Sequence, residues 1–262
     1  MDKSANSTRG HVADDLTFAD LRAALAAGWQ DYRKQPLFGL FFAAIYVVTG
    51  LFIYAAVMGR GEIIWWIAAL AGFPLIAPFT AVGLYEVSRR REAGLPMRWG
   101  AVLGALKGRG DEQLLLMGGI LFVAFSFWVI IAHGIFAIFM AEAGAGGESI
   151  AALATPVGIA MLTVGSIVGA IIALFFYAIT VISLPMLVDR DVDFITAIIT
   201  SVSALRANRK VLLSWAIIIS AALFLSMLPA FVGLLVTLPV LGHATWHLYR
   251  RIVPATGVGA TD

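Results

Sequence analysis

Six long apolar segments carry nearly all of the hydrophobicity of this 262-residue chain: Leu37–Met58, Ile63–Val87, Leu114–Ala141, Pro156–Val188, Val211–Leu228 and Pro229–Tyr249. A helix of about 20 apolar residues crosses the ~30 Å hydrocarbon core of a bilayer, and each segment reaches or approaches that length. The chain is 61% hydrophobic and 13% charged. A soluble domain is nearer one half and one quarter. The expected fold class is therefore an all-α membrane protein with six transmembrane helices.

The cations set the orientation. Five Lys and Arg precede the first segment: Lys3, Arg9, Arg22, Arg33 and Lys34. Six lie between the second and third: Arg89, Arg90, Arg91, Arg98, Lys107 and Arg109. Four lie between the fourth and fifth (Arg190, Arg206, Arg209, Lys210), and Arg250 and Arg251 follow the sixth. Arg60 alone remains for the other side. Cytoplasmic loops concentrate Lys and Arg, so both termini are expected in the cytoplasm. Met1–Asp15 is polar and lacks the apolar stretch of a signal peptide, so no cleavage is expected. Residues 1–15 and 254–262 read as disordered tails flanking a single membrane domain, 16–253.

Val211–Tyr249 holds no charge, yet as one helix it would extend roughly 58 Å. Proline lacks the N–H that the helix ladder needs, so Pro229 predicts a break and two short helices joined near Ser226–Pro229.

Amphipathic segments precede the odd-numbered spans. Phe18–Tyr32 places Phe18, Leu21, Leu25, Trp29 and Tyr32 on one stripe, with Thr17 and Asp20 at capping spacing. Met97–Lys107 follows Pro96, with Trp99, Val102, Leu103 and Leu106 as its apolar set. Phe194–Leu205 carries Ile195, Ile198, Ile199, Val202 and Leu205, capped by Asp191 or Asp193. Such helices lie in the headgroup layer or pack as a collar beneath the bundle. Each leads into a pair of spans whose second member carries a proline: Pro78, Pro185 and Pro239. The ends PFTAVGLYEVSRR and PVLGHATWHLYRR align without a gap from Pro78 and Pro239. This predicts three pseudo-repeats of interfacial helix plus transmembrane hairpin.

Those proline-anchored ends also carry a resemblance. Ala77-PFTAVGLYEVSRRREAG, Ile182-SLPMLVDRDVDFITAIITSVSA, Asn208 and Leu238-PVLGHATWHLYR resemble the DUF2189 family of predicted bacterial integral membrane proteins, over about Phe18 to Val253. Some members bear the label cytochrome c oxidase subunit. The resemblance implies an integral membrane protein and defines no catalytic residues.

Few residues suggest chemistry. His243 and His247, four apart, share a helix face, which suits a metal or a haem contact. Beside Trp246 and Tyr249 they also suit an interfacial belt, and that reading is preferred because the sequence offers them no nearby carboxylate or third histidine. His133 lies inside the third span, either relaying a proton or binding haem, or simply hydrogen-bonded to a neighbouring helix backbone. Glu86 beside Arg89 and Arg90, and Asp189 beside Arg190, read as ion pairs at helix ends. Gly165 and Gly169 form a GxxxG that permits close helix packing, within the bundle or against a second copy. No cysteine is present, which excludes disulfides and thiolate ligands. No nucleotide, zinc-protease or serine-hydrolase motif occurs. The expectation is a non-enzymatic protein without cofactor, with no catalytic, cofactor-binding or metal residues; Pro78, Pro185 and Pro239 are structural. Its partners are the bilayer and other membrane-complex subunits or itself, not nucleic acid. The role expected is accessory or assembly component of a membrane complex. The alternative is a small-molecule transporter or channel built on the hairpins, with helices broken at the prolines.

Overall fold

The computed structural model describes residues 12–60, 80–105, 113–140 and 154–254, and all of its regular elements there are helical. In chain order they are α1 (Phe18–Lys34), α2 (Pro36–Arg60), α3 (80–92), α4 (Trp99–Gly104), α5 (Gln113–Met140), α6 (Pro156–Thr180), α7 (Ser183–Asp189), α8 (Phe194–Ala207), α9 (Arg209–Met227) and α10 (Leu234–Ile252). The expected tract Ile63–Val87, with Pro78, falls outside the described residues up to residue 79. So do Lys107, Arg109, residues 1–11 and 255–262, and residues 141–153 of the expected outer loop.

Three apolar runs among these helices are long enough to cross a bilayer: Gln113–Phe139, Pro156–Asp189 and Arg209–Met227. A fourth crossing is counted if α1 and the start of α2, bent by 98°, are taken together. The outward side chains of the three runs are apolar, including Phe122, Phe127 and Ile130 on α5, Ile171 and Phe175 on α6, and Ile217 and Phe224 on α9. Exposed apolar surface on this scale is stable against lipid and not against water. The protein is an all-helical integral membrane protein.

Local sequence sets the helix ends. The Thr17 hydroxyl accepts the Asp20 N–H while the Asp20 carboxylate accepts the Thr17 N–H, a reciprocal capping box. Those hydrogen bonds from Thr17, helped by Arg251, hold the Asp20 carboxyl below its usual range. Of the two candidates for α8, Asp193 caps it, accepting the Thr196 N–H at 2.8 Å. Pro36 disfavours helical geometry at the residue before it, and the chain turns at Gln35.

The amphipathic helices bury a different stripe from the one their large side chains suggest. On α1 the inward residues are Leu21, Ala24, Gly28 and Asp31, while Phe18 and Trp29 are 60% and 44% exposed. On α8 they are Ala197, Ser201 and Ala204, while Ile195 and Ile199 point out. Small residues let a helix lie close to its neighbour, and the bulky apolar ones are left for lipid. A Cβ at Gly28 would sit 2.6 Å from the Ala244 nitrogen and 2.7 Å from the Val240 oxygen of α10. α4 begins at Trp99 with Arg98 as N-cap, later than the expected start at Met97, and buries Val102.

The prolines act locally. Pro185 cannot donate to the carbonyl of Val181, and the chain turns at residues 181–182 before α7 begins. Ser201 of α8 repairs that break: its hydroxyl accepts the Ile182 N–H at 3.2 Å and donates to the Ala178 carbonyl at 2.7 Å. Pro239, expected as a break point, lies instead inside an uninterrupted α10. The carbonyl it leaves unpaired falls in that helix's first turn, where the rest of the ladder continues unbroken.

The turn between α9 and α10 occupies residues 228–233, as Pro229 predicted. Ala230 and Phe231 take positive φ there, of 49° and 64°. Such conformations cost a non-glycine residue about 1 kcal/mol or more. Packing offsets this, because the Phe231 ring fills the space over Gly50 of α2.

At the other end of the chain, residues 12–17 form an extended strap, although 1–15 reads as a tail in the sequence. Asn208 explains it. Its side-chain oxygen accepts the Leu16 N–H at 3.0 Å and its amide donates to the Ala13 carbonyl at 2.6 Å, while Ala13 N–H donates to Ile252.

Candidate functional site: a buried carboxylate at the foot of α10

The C-terminal half of α10 is deeply buried among the described helices. Trp246, Leu248, Tyr249 and Ile252 are fully buried, as is Trp215 of α9, whose ring N–H donates to Thr245. Trp246 and Tyr249 therefore do not form the expected interfacial belt. Their polar tips reach carboxylates of other helices: Trp246 Nε1 to Glu92 at 3.0 Å, and the Tyr249 hydroxyl to Asp189 at 2.7 Å.

His243 and His247 do share a face, and together they meet a group that the sequence reading missed. Asp31 of α1 is 1% exposed. Its Oδ2 accepts the Ser88 hydroxyl of α3 at 2.6 Å and lies 2.8 Å from His247 Nε2. Its Oδ1 contacts the Arg91 guanidinium. Ser88 Oγ is also 2.8 Å from His243 Nδ1. Ser88 has one proton, and it goes to Asp31. Its oxygen must then accept from His243, which fixes the tautomer with hydrogen on Nδ1. His243 Nε2 is left as a buried lone pair with no partner. One carboxylate thus joins α1, α3 and α10.

The expectation that this histidine pair has no carboxylate near it is corrected by Asp31, 216 residues distant from His247. What could have signalled Asp31 is the small-residue stripe Ala24, Gly28, Asp31, which marks the face of α1 that approaches another backbone.

The order of groups decides the chemistry. In a hydrolytic triad the serine gives its proton to a histidine whose other nitrogen is held by the aspartate. Here the serine donates directly to the aspartate, and His243 has nothing on its far nitrogen. Ser88 is buried as well. These contacts join α1, α3 and α10 and do not follow the order of such a triad. Among the described residues, no three His, Asp or Glu side chains gather as a metal-ligand set. A cleft of about 190 Å³ beside the cluster is lined by Gln30, Asp31, Ser88, Arg91, Glu92 and His247.

Further ion pairs surround it. Glu86 takes Arg89 through two bonds of 2.6 and 2.7 Å and Arg90 at 3.2 Å, and raises the affinity of Arg89 for its proton. Arg250 bridges Glu92 and Asp189, both at 3.0 Å. Arg251 pairs with Asp20 at 2.9 Å and Asp15 at 3.1 Å. Glu86 and Asp189 thus serve as the helix-end pairs expected of them.

The remaining sequence candidates stand apart. His133 is exposed on α5, and its Nδ1 is 3.1 Å from the Val129 carbonyl of its own helix rather than a neighbour's. Gly169 packs under the Trp128 ring of α5, whereas the space beside Gly165 is open. Next to that contact, α3, α5, α6 and α9 enclose an apolar groove of about 720 Å³, with Tyr85, Phe125, Trp128 and Phe176 among its walls.

The apolar spans, outward apolar faces and inwardly paired charges define the class: an integral membrane protein of α-helical type. Residues 66–189 match the model of a family described as predicted integral membrane protein, DUF2189, the family that the sequence resembles. The match takes in Ser88, Arg91 and Asp189 and leaves out α1, α9 and α10. No curated protein and no solved structure matches the chain.

Proposed function

We propose that this chain is a non-enzymatic, six-span protein of the bacterial inner membrane that serves as an accessory or assembly component of a larger membrane complex. One observation carries the reading. Over its most apolar stretch, α5 has only 11% of its residues buried by the rest of the chain. A span so lightly held, beside an open groove, suits lateral association with helices of another protein. The order of the Asp31–Ser88–His243 contacts supports a structural rather than catalytic use of the polar residues. Association with a respiratory oxidase follows only from the label on family members. The partners proposed are lipid and membrane subunits, or a second copy, with no role for nucleic acid.

The protein purified in mild detergent, with and without prior cross-linking, should bring a defined set of membrane proteins with it, identified by mass spectrometry. Migration as a lone chain under both conditions would end the accessory reading. The groove favours a second reading, a carrier for an apolar small molecule. It is distinguished by saturable solute binding to the isolated protein.

The six-span arrangement proposed here has three interfacial-helix and hairpin units with both termini cytoplasmic. The outward apolar faces of α1 and α8 and the reversal at residues 228–233 support it. Reporter fusions at Met1 and Asp262 should both give cytoplasmic signals; a periplasmic signal from either would remove it.

A further inference from the structure

Among the described residues, some cations meet a carboxylate and others do not. Arg89, Arg90, Arg91, Arg190, Arg250 and Arg251 each meet a carboxylate. Arg22, Arg33, Lys34, Arg98, Arg206, Arg209 and Lys210 are exposed and meet no carboxylate within ion-pair distance among the described residues, and three of these, Arg206, Arg209 and Lys210, gather at one place. They sit within five positions of one another at the corner where α8 ends and α9 begins. Arg209 and Lys210 are the first two residues of a membrane-crossing run, which puts them at its boundary. One and two turns into α9 from this corner, Leu213 and Ile217 are 37% and 69% exposed. Between the cations, Asn208 is buried and fully engaged by the strap, so the corner is held rigidly from within. Three unpaired positive charges at headgroup depth, on a fixed turn, next to apolar side chains directed outward, complement one kind of molecule.

The geometry points to the α8–α9 corner as a binding site for the headgroup of an anionic phospholipid. Arg206, Arg209 and Lys210 take the phosphate, and Leu213 and Ile217, one and two turns deeper on α9, lie along its tails. Arginine grips phosphate through paired N–H groups, and lysine adds a point charge. Each cation near an anionic lipid surface contributes roughly fivefold in affinity. The site depends on the membrane span that starts at Arg209 and not on the accessory role proposed above.

The test uses the full chain in detergent, titrated with phosphatidylglycerol, phosphatidylcholine or glycerol phosphate, with bound lipid counted by native mass spectrometry. With three such cations, phosphatidylglycerol should be retained over phosphatidylcholine by on the order of a hundredfold. The triple variant R206Q/R209Q/K210Q should lose most of that preference, and the charge-keeping R206K/R209K/K210R should keep the larger part. Equal retention of the two lipids by the parent protein would overturn the proposal, whether or not the glutamine variant folds. An unchanged preference in a folded glutamine variant would do the same. Glycerol phosphate competing as well as the whole lipid would show a free-phosphate site instead.

Discussion

Replacing Asp31 by alanine should destabilise the protein by about 3–5 kcal/mol, the usual result of removing one member of a buried charge pair. The magnitude follows from what is left behind. Arg91 loses its counter-ion, Ser88 loses the acceptor for its only proton, and His247 loses the oxygen it faces at 2.8 Å. All three come from helices that no longer share a fixed point with α1. Asp31→Asn should recover part of the loss, because an amide oxygen still accepts from Ser88 while the charge on Arg91 stays uncompensated. Thermal unfolding in detergent, followed by the fluorescence of the seven tryptophans, provides the measurement. An alanine variant that melts with the parent would show that the cluster holds nothing together.

Gly28→Leu should be comparably severe by a different route. The atoms a side chain would strike are backbone atoms of Ala244 and Val240, which cannot rotate away. Overpacking in a protein interior costs typically 1–3 kcal/mol, and more where the obstacle is rigid. The leucine variant should expose Asp31 and the histidines by lifting α1 from α10, so low folded yield is expected. Even Gly28→Ala should lower the melting temperature. By comparison, Gly165→Ala faces open space and should leave it unchanged. Equal behaviour of the two alanine variants would mean that the close approach of α1 and α10 contributes little.

Much of the framework was legible before any coordinates. The apolar runs of α5, α6 and α9 follow from length and composition. The caps at Thr17 and Asp193 follow from short polar side chains three residues before a free N–H. Pro229 marked the turn that Ala230 and Phe231 complete. These are local effects, fixed by residues a few positions apart. The stripes of large apolar residues on α1 and α8 were legible, but the small residues that face the bundle were not. In a bilayer, bulky apolar groups lose nothing by facing outward, so the packed face is marked by Gly, Ala and Ser instead. The carboxylate cluster was illegible for another reason. His243 and His247 announce a shared face, but nothing near them in the chain announces Asp31 or Ser88. Trp246 and Tyr249 were assigned to the interface because their composition matches a belt, whereas Glu92 and Asp189 supply buried partners from other helices. Pairing across 154 or 216 residues leaves no trace in spacing.

The joining of α1 to α10 has a consequence for biogenesis. α1 docks against α10, which leaves the ribosome much later. At synthesis rates of about 5–20 residues per second, Asp31 waits roughly 10–40 seconds before His247 exists. Through that interval α1 has its capping box and the contacts of Asp31 with Ser88 and Arg91 of α3, but not the helix that it packs against most closely. A chain halted before residue 240 would keep the Asp31–Arg91 pair but leave the Gly28 face of α1 without the α10 backbone that covers it.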